Sequence, residues 1–129
     1  MKVYVAARFY EKEIVLDTYK KLKKLGHIIT ADWTPHKNIK PYSKNPDIAK
    51  DYAIEDIVGV KDCDVFILIL GDQAGTGTSS ELGAAIMSQL LNKKPKIYVV
   101  GEYLDQNFCF YHPSVIRRKT IQDVLKELA

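Results

Sequence analysis

The sequence predicts an α/β fold: a single-domain, open, parallel five-stranded sheet of order 2-1-3-4-5, with helices on both faces. Three observations predict it. Runs that are largely apolar occur at 2–7, 63–70 and 95–100, as expected of strands covered on both faces. Stretches of helical period lie between them. Right-handed crossovers between parallel strands then restrict the order. With 129 residues, 47% of them apolar, the chain fits one domain, 1–129, around one core.

The elements follow in order. "KVYVAA", 2–7, is the first strand. Val15, Tyr19, Leu22 and Leu25 recur at helical spacing in a helix over 10–25, and Gly26 supplies its stop. "HIITADW", 27–33, is the second strand. The segment "TPHKNIKPYSKNP", 34–46, is irregular and long for such a domain, the kind of loop that serves as a lid or binding loop. Asp47 is placed to cap a helix over 47–61, with Ile54, Ile57 and Val58 on its buried side. "CDVFILIL", 63–70, is continuously apolar after Asp64 and belongs at the sheet centre. A glycine-rich turn, 71–77, leads into a helix over 79–92 packed through Leu82, Ala85, Ile86 and Leu90. "PKIYVV", 95–100, is the fourth strand and "SVIRR", 114–118, a short fifth. A helix over 120–128 packs through Ile121, Val124, Leu125 and Leu128.

Charge and composition exclude several classes. The net charge of +3 is mild, and the lysine groups at 20–24 and 92–94 read as solvated helix faces. No helix-turn-helix, zinc-finger or RNA-binding signature accompanies them, so nucleic acid is not an expected partner. An anionic small molecule fits the surplus equally well. No run approaches the roughly 20 apolar residues that span a bilayer. "MKVYVAARFY" is a weak signal peptide, because "EKE" and a patterned helix follow at once. Cys63 and Cys109 give no disulfide framework. His27, His36 and His112 form no metal-binding pattern, so neither metal nor cofactor is expected. A reduced, cytoplasmic protein is the expectation.

Open parallel sheets bind ligands beyond the carboxyl ends of their strands, where the strand order reverses. Here that gathers Ala7, Arg8, the 71–78 turn and the start of the third helix around one crevice. The crevice holds "GDQAGTGTSSELG", 71–83, with Glu81 among glycines and hydroxyl residues. Thr78-Ser79-Ser80-Glu81 matches a capping box, in which Glu81 reaches back to the Thr78 amide. The same residue, near first-turn amides and the positive helix end, also suits an anionic nucleophile. Gly75 and Gly77 let a ligand approach the backbone. The turn is not a P-loop, and "AARFY" is not a dinucleotide fingerprint. Asp51, Glu55, Asp56, Asp62 and Asp64 are the candidates for a second carboxylate. Trp33, Tyr42, Phe108, Phe110 and Tyr111 are aromatics for base stacking or packing, with Trp33 preferred as base-facing.

"VYVAARF", an acidic residue in the second helix, "CDVFILIL" and "GTGTSSELGAAI", in this order, resemble the nucleoside 2-deoxyribosyltransferase family and its related nucleoside-monophosphate N-glycosidases. The resemblance extends to "KPKIYVV", and its specific part is Tyr4, Asp56 and "SSELG". It implies that Glu81 attacks the anomeric carbon, that Tyr4 holds Glu81 in place, and that Asp56 serves proton transfer at the leaving base. The substrate implied is a nucleoside or nucleotide. A homodimer or larger assembly is also implied, with a neighbouring subunit's residue entering the site and Asn107 loosely matching that role.

Three positions depart from the family's pattern. Ala7 and Arg8 stand where glycine or serine is usual; Arg8 then narrows the pocket, binds a phosphate, or lies on the surface. Gly75 stands where aspartate or serine is frequent, and Thr76, Thr78, Ser79 and Ser80 are left to supply hydroxyls. Noncatalytic nucleotide binding, with Glu81 as a cap, is the alternative expectation.

Overall fold

Five strands pair side by side, all parallel, in the order β2-β1-β3-β4-β5. The computed structural model describes residues 1–73 and 75–129; Ala74, inside the expected 71–77 turn, lies outside the described residues. The strands are β1 (Lys2–Ala6), β2 (Ile28–Ile29), β3 (Val65–Ile69), β4 (Lys96–Val100) and β5 (Val115–Arg118). The helices are α1 (Lys12–Lys24), α2 (Pro46–Asp62), α3 (Thr76–Asn92) and α4 (Ile121–Leu128). β3 is buried along its whole length between β1 and β4, as its unbroken apolar run requires. Among the described residues no helix is long and apolar enough to cross a membrane.

The end of α1 is closed by Gly26, at φ +89°. Its amide donates to Lys23 O and the His27 amide to Leu22 O. This is the paired arrangement that a left-handed glycine permits. His27 is buried, with Nδ1 3.1 Å from the Met1 amino group and Nε2 3.0 Å from Leu128 O.

Several expectations need correction. The second strand spans Ile28–Ile29 and not 27–33. The Ile28 and Thr30 amides donate to Met1 O and Val3 O. The Trp33 indole N–H then donates to Val5 O at 2.8 Å, so a side chain takes the acceptor that a longer strand would use. Asp47 does not cap α2; Asn45 is the cap residue, Pro46 opens the helix, and Asp47 lies in its first turn. Proline suits this place because its missing N–H is unneeded there.

Ile54, Ile57, Val58 and Leu90 are exposed and not packed in the core. The inward side of α2 near its end is Gly59 and Val60. A Cβ at Gly59 would stand 2.6 Å from Ala31 Cβ and 3.0 Å from the Tyr4 ring, so only glycine lets α2 approach β1 this closely.

Candidate active site

Ala7 and Arg8 follow β1 and the 71–77 segment follows β3, so both lie beyond the carboxyl ends of adjacent strands. There the structure has an open cleft of about 1110 Å³. Among the residues named from sequence, Ala7, Arg8, Trp33, Asp56, Gly75, Gly77, Thr78 and Glu81 line it. Ser79 and Asn107 do not; they line an adjoining crevice of about 10 Å³, shared with Arg8, Gly75 and Thr78. That volume admits about one water.

Glu81 is not a capping residue. α3 starts at Thr76, with Gly75 as its cap residue, which places Glu81 in the second turn. Thr78 Oγ1 donates to Gly75 O at 2.8 Å, turning back on the helix instead of accepting an amide. Ser79 Oγ does the same at 2.9 Å. These hydroxyl protons are therefore committed, and what Thr78 and Ser79 offer a ligand is lone pairs. The capping box of this chain is on α4, between Thr120 and Asp123.

Glu81 instead turns toward β1. The Tyr4 hydroxyl donates to Glu81 Oε1 at 3.0 Å. Tyr4 is wholly buried, with its ring stacked on Phe66 at 5.9 Å and packed at Gly59. Burial, then the neighbouring charges of Glu81 and Asp56, hold its phenol far above the ordinary value. It is a fixed hydrogen-bond donor.

Burial also pushes the Glu81 carboxyl up to about 8; the Tyr4 hydrogen bond works against this and Asp56 adds to it. The expectation of a favoured anion, drawn from a first-turn position, is thus reversed. In the second turn Glu81 is away from the unpaired amides, and desolvation outweighs the helix field.

Asp56 reaches the same cleft from α2, and its buried Oδ1 has no hydrogen-bond partner among the described residues. Burial lifts its carboxyl to about 6, opposed by His36 and assisted by Glu55. Asp64, at the opposite end of the sheet, accepts the Lys2 amide at 2.9 Å.

Trp33 is almost fully enclosed, its indole N–H is committed to Val5 O, and Phe9 tilts against it at 6.4 Å. Tyr42 lines the cleft, whereas Phe108, Phe110 and Tyr111 lie outside it. Asn107 sits beside its own chain's Ser79, with Nδ2 3.4 Å from Ser79 Oγ.

The sequence reading missed His36 and Tyr52. Their rings stack 3.8 Å apart and 6° from parallel, and His36 Nε2 lies 3.4 Å from Glu55 Oε2. The signal was present: Ala49, Tyr52, Ala53, Asp56 and Ile57 follow helical spacing, and that face of α2 lines the cleft.

No family model matches the sequence, and no curated protein sequence matches it. Solved structures do share its fold. A 2-deoxyribosyltransferase from Bacillus psychrosaccharolyticus is similar with a TM-score of 0.66 and 22% identity, over 97% of this chain and 90% of that one. A CMP N-glycosidase from Clostridium botulinum is similar with a TM-score of 0.67 and 20% identity, over 99% and 97%. At such identities the likeness establishes the fold, and the two activities are those of the two proteins compared. Both are of the kinds to which the sequence resemblance points.

Proposed function

We propose that this protein cleaves the N-glycosidic bond of a (deoxy)nucleoside or nucleoside 5′-monophosphate, by hydrolysis or base exchange, with Glu81 as nucleophile. The observation that carries the proposal is the Tyr4–Glu81 hydrogen bond at a cleft that also receives Asp56 with an unpartnered carboxyl oxygen. The activities of the two structural neighbours point the same way. The noncatalytic alternative rested on a capping box that Thr78 and Glu81 do not form.

The chemistry follows from these positions. Ionised Glu81 attacks C1′ while the C1′–N bond breaks, and the bond's electron pair leaves with the base. Asp56 delivers its proton to that base. Positive charge grows on the sugar in the transition state, and the carboxylate beneath it stabilises that charge. The glycosyl ester on Glu81 is then opened at C1′ by water or by a second base, which regenerates the carboxylate. Tyr4 stabilises the ionised form by donating to it and fixes its direction.

Exposed Ile54, Ile57 and Val58 on α2 and Met87, Leu90 and Leu91 on α3 support a homodimer or larger assembly. Sedimentation of Ile54→Glu beside the wild type checks this: the variant is expected as a monomer.

The test of function is base release from a panel of deoxynucleosides, ribonucleosides and their monophosphates, with and without an acceptor base. Glu81→Gln is expected to lower turnover by at least about 10³-fold while keeping the wild-type circular dichroism. Turnover equal to wild type removes Glu81 from the mechanism. A new nucleoside in the presence of acceptor identifies a transferase; free sugar alone identifies a hydrolase.

A further inference from the structure

We propose that the cleft has a second subsite, on the wall formed by the 34–45 loop and Tyr10, that takes a further nucleoside unit joined to the first through phosphate. The preferred substrate is then a dinucleotide. The proposal rests on the glycosidic reading above and extends it.

The cleft is larger than one nucleoside needs. Its volume of about 1110 Å³ exceeds the roughly 300–1,000 Å³ that suffices for drug-sized ligands, and a nucleoside is small among those. The reacting groups, Glu81 and Asp56, come from α3 and α2. The loop wall adds Lys37, Asn38, Ile39, Lys40 and Tyr42, none of which the glycosidic chemistry uses.

The composition of that wall fits a base and a phosphate bridge. Tyr42 is 55% exposed and Tyr10 85% exposed, and both line the cleft. Rings held open in this way offer flat faces on which any base stacks. Lys40 Nζ lies 5.9 Å from the centre of the Tyr42 ring, and the Arg8 guanidinium lies 5.0 Å from that of Tyr10, so each ring is presented with a cation. Among the described residues, Lys37 and Lys40 pair with no carboxylate. Their charges are open to a phosphate bridge, which lysine binds as a point charge.

The wall is also fixed before any ligand arrives. The Lys37 amide donates to the Tyr52 hydroxyl at 3.2 Å, beside the His36 ring stacked on the same tyrosine. The Asn45 side-chain amide donates to Ile39 O at 3.0 Å. The first contacts tie the loop to α2 and the last closes it on itself, so binding costs little further ordering.

The experiment measures kcat/KM for base release, and affinity by titration calorimetry, for two dinucleotides and for their component mononucleotides. One dinucleotide is joined 5′ to 5′ by pyrophosphate, the other 3′ to 5′ by a phosphodiester. The proteins are the wild type, Tyr42→Ala, Tyr42→Phe and the double variant Lys37→Gln/Lys40→Gln, with melting curves to establish that each folds. The wild type is expected to favour a dinucleotide over its components by about 10- to 100-fold, and the favoured one identifies the bridge. Tyr42→Ala and the lysine variant are expected to lose most of that ratio, and Tyr42→Phe, which keeps the ring, to retain it. A wild type that favours neither dinucleotide, or an unchanged ratio in Tyr42→Ala or in the lysine variant, overturns the proposal. So does protection of the 36–44 amides that arises only as the protein assembles, which would give the wall to a second copy. If no substrate releases base, the glycosidic reading fails on kinetics, while calorimetry still decides whether a second nucleoside unit binds.

Discussion

The Tyr4 hydroxyl donates a 3.0 Å hydrogen bond to Glu81 Oε1, joining residues 77 positions apart across the carboxyl end of the sheet. One partner is a fully buried strand residue and the other sits in the second turn of a helix. The donor remains protonated at any working pH, because burial keeps its phenol far above the ordinary value. The bond therefore favours the charged carboxylate against the desolvation that opposes it.

Removing that donor should leave Glu81 harder to ionise. Tyr4→Phe is expected to lower kcat/KM by about 10- to 100-fold. The alkaline limb of its pH profile, carried mainly by the ionisation of Glu81, should also move to higher pH than in the wild type. A packing defect alone would lower activity without moving the limb, so an unmoved limb would count against the role given to Tyr4.

Mechanistically, Glu81 must be ionised and Asp56 protonated, yet their carboxyls are lifted to about 8 and about 6. Between those values the pair holds one proton, and the reactive form has it on Asp56. The limbs belong to the pair and not to either residue. The kcat/KM profile is expected to be a bell, highest near about pH 7. In Asp56→Asn the alkaline limb should vanish, leaving a weaker activity that rises with pH to a plateau. That single limb should report Glu81 alone and lie below about 8, because the charge of Asp56 no longer opposes ionisation of Glu81. A bell that survives the substitution unchanged would exclude Asp56 as the proton donor.

Holding a carboxyl near 8 has a cost in stability with a definite direction. Below its ordinary value of 4.5, Glu81 is protonated in folded and unfolded chains alike. As pH rises from there to about 8, the unfolded chain gives up the proton and the folded chain keeps it, so stability falls through this window. The full loss is on the order of a few kcal/mol. Glu81→Gln is free of it. Its melting temperature should gain on the wild type as pH rises from 5 to 9, by several degrees at the alkaline end. A difference constant across that range would mean that Glu81 is not desolvated as described.

Trp33 is a support as well as a wall of the cleft. Trp33→Phe keeps an aromatic ring but leaves Val5 O without the indole donor. A loss of about 1–2 kcal/mol in chemical denaturation is expected. Thr30, whose amide still pairs with Val3 O, should keep its protection from hydrogen exchange. A stability equal to wild type would show that water replaces the indole.

Where local pattern carried the information, the sequence was legible. The apolar run of β3 announced a central strand, and Gly26 announced the end of α1. Pattern misled where its partner was undefined. Ile54, Ile57 and Val58 are apolar at helical spacing, but in this chain they face outward, because α2 meets β1 through Gly59 and Val60. T-x-x-E at 78–81 satisfied a capping motif, yet the helix begins at Thr76 and the motif falls inside it. His36 and Tyr52 lie 16 positions apart with no motif to link them, and only the path of the 34–45 loop stacks them.

By itself, then, the sequence determined the alternation of strands and helices, the parallel sheet and its order, and the gathering of Ala7, Arg8 and the 71–78 segment at one rim. These depend on which faces of each element shed water, and residue type and spacing encode that directly. Only the tertiary structure decided that Glu81 meets Tyr4, that Asp56 keeps an unpartnered oxygen, and that both carboxyls resist ionisation. The ionisation of a carboxyl is a sum over everything packed around it, from segments far apart in the chain. That sum has no value until the segments have come together.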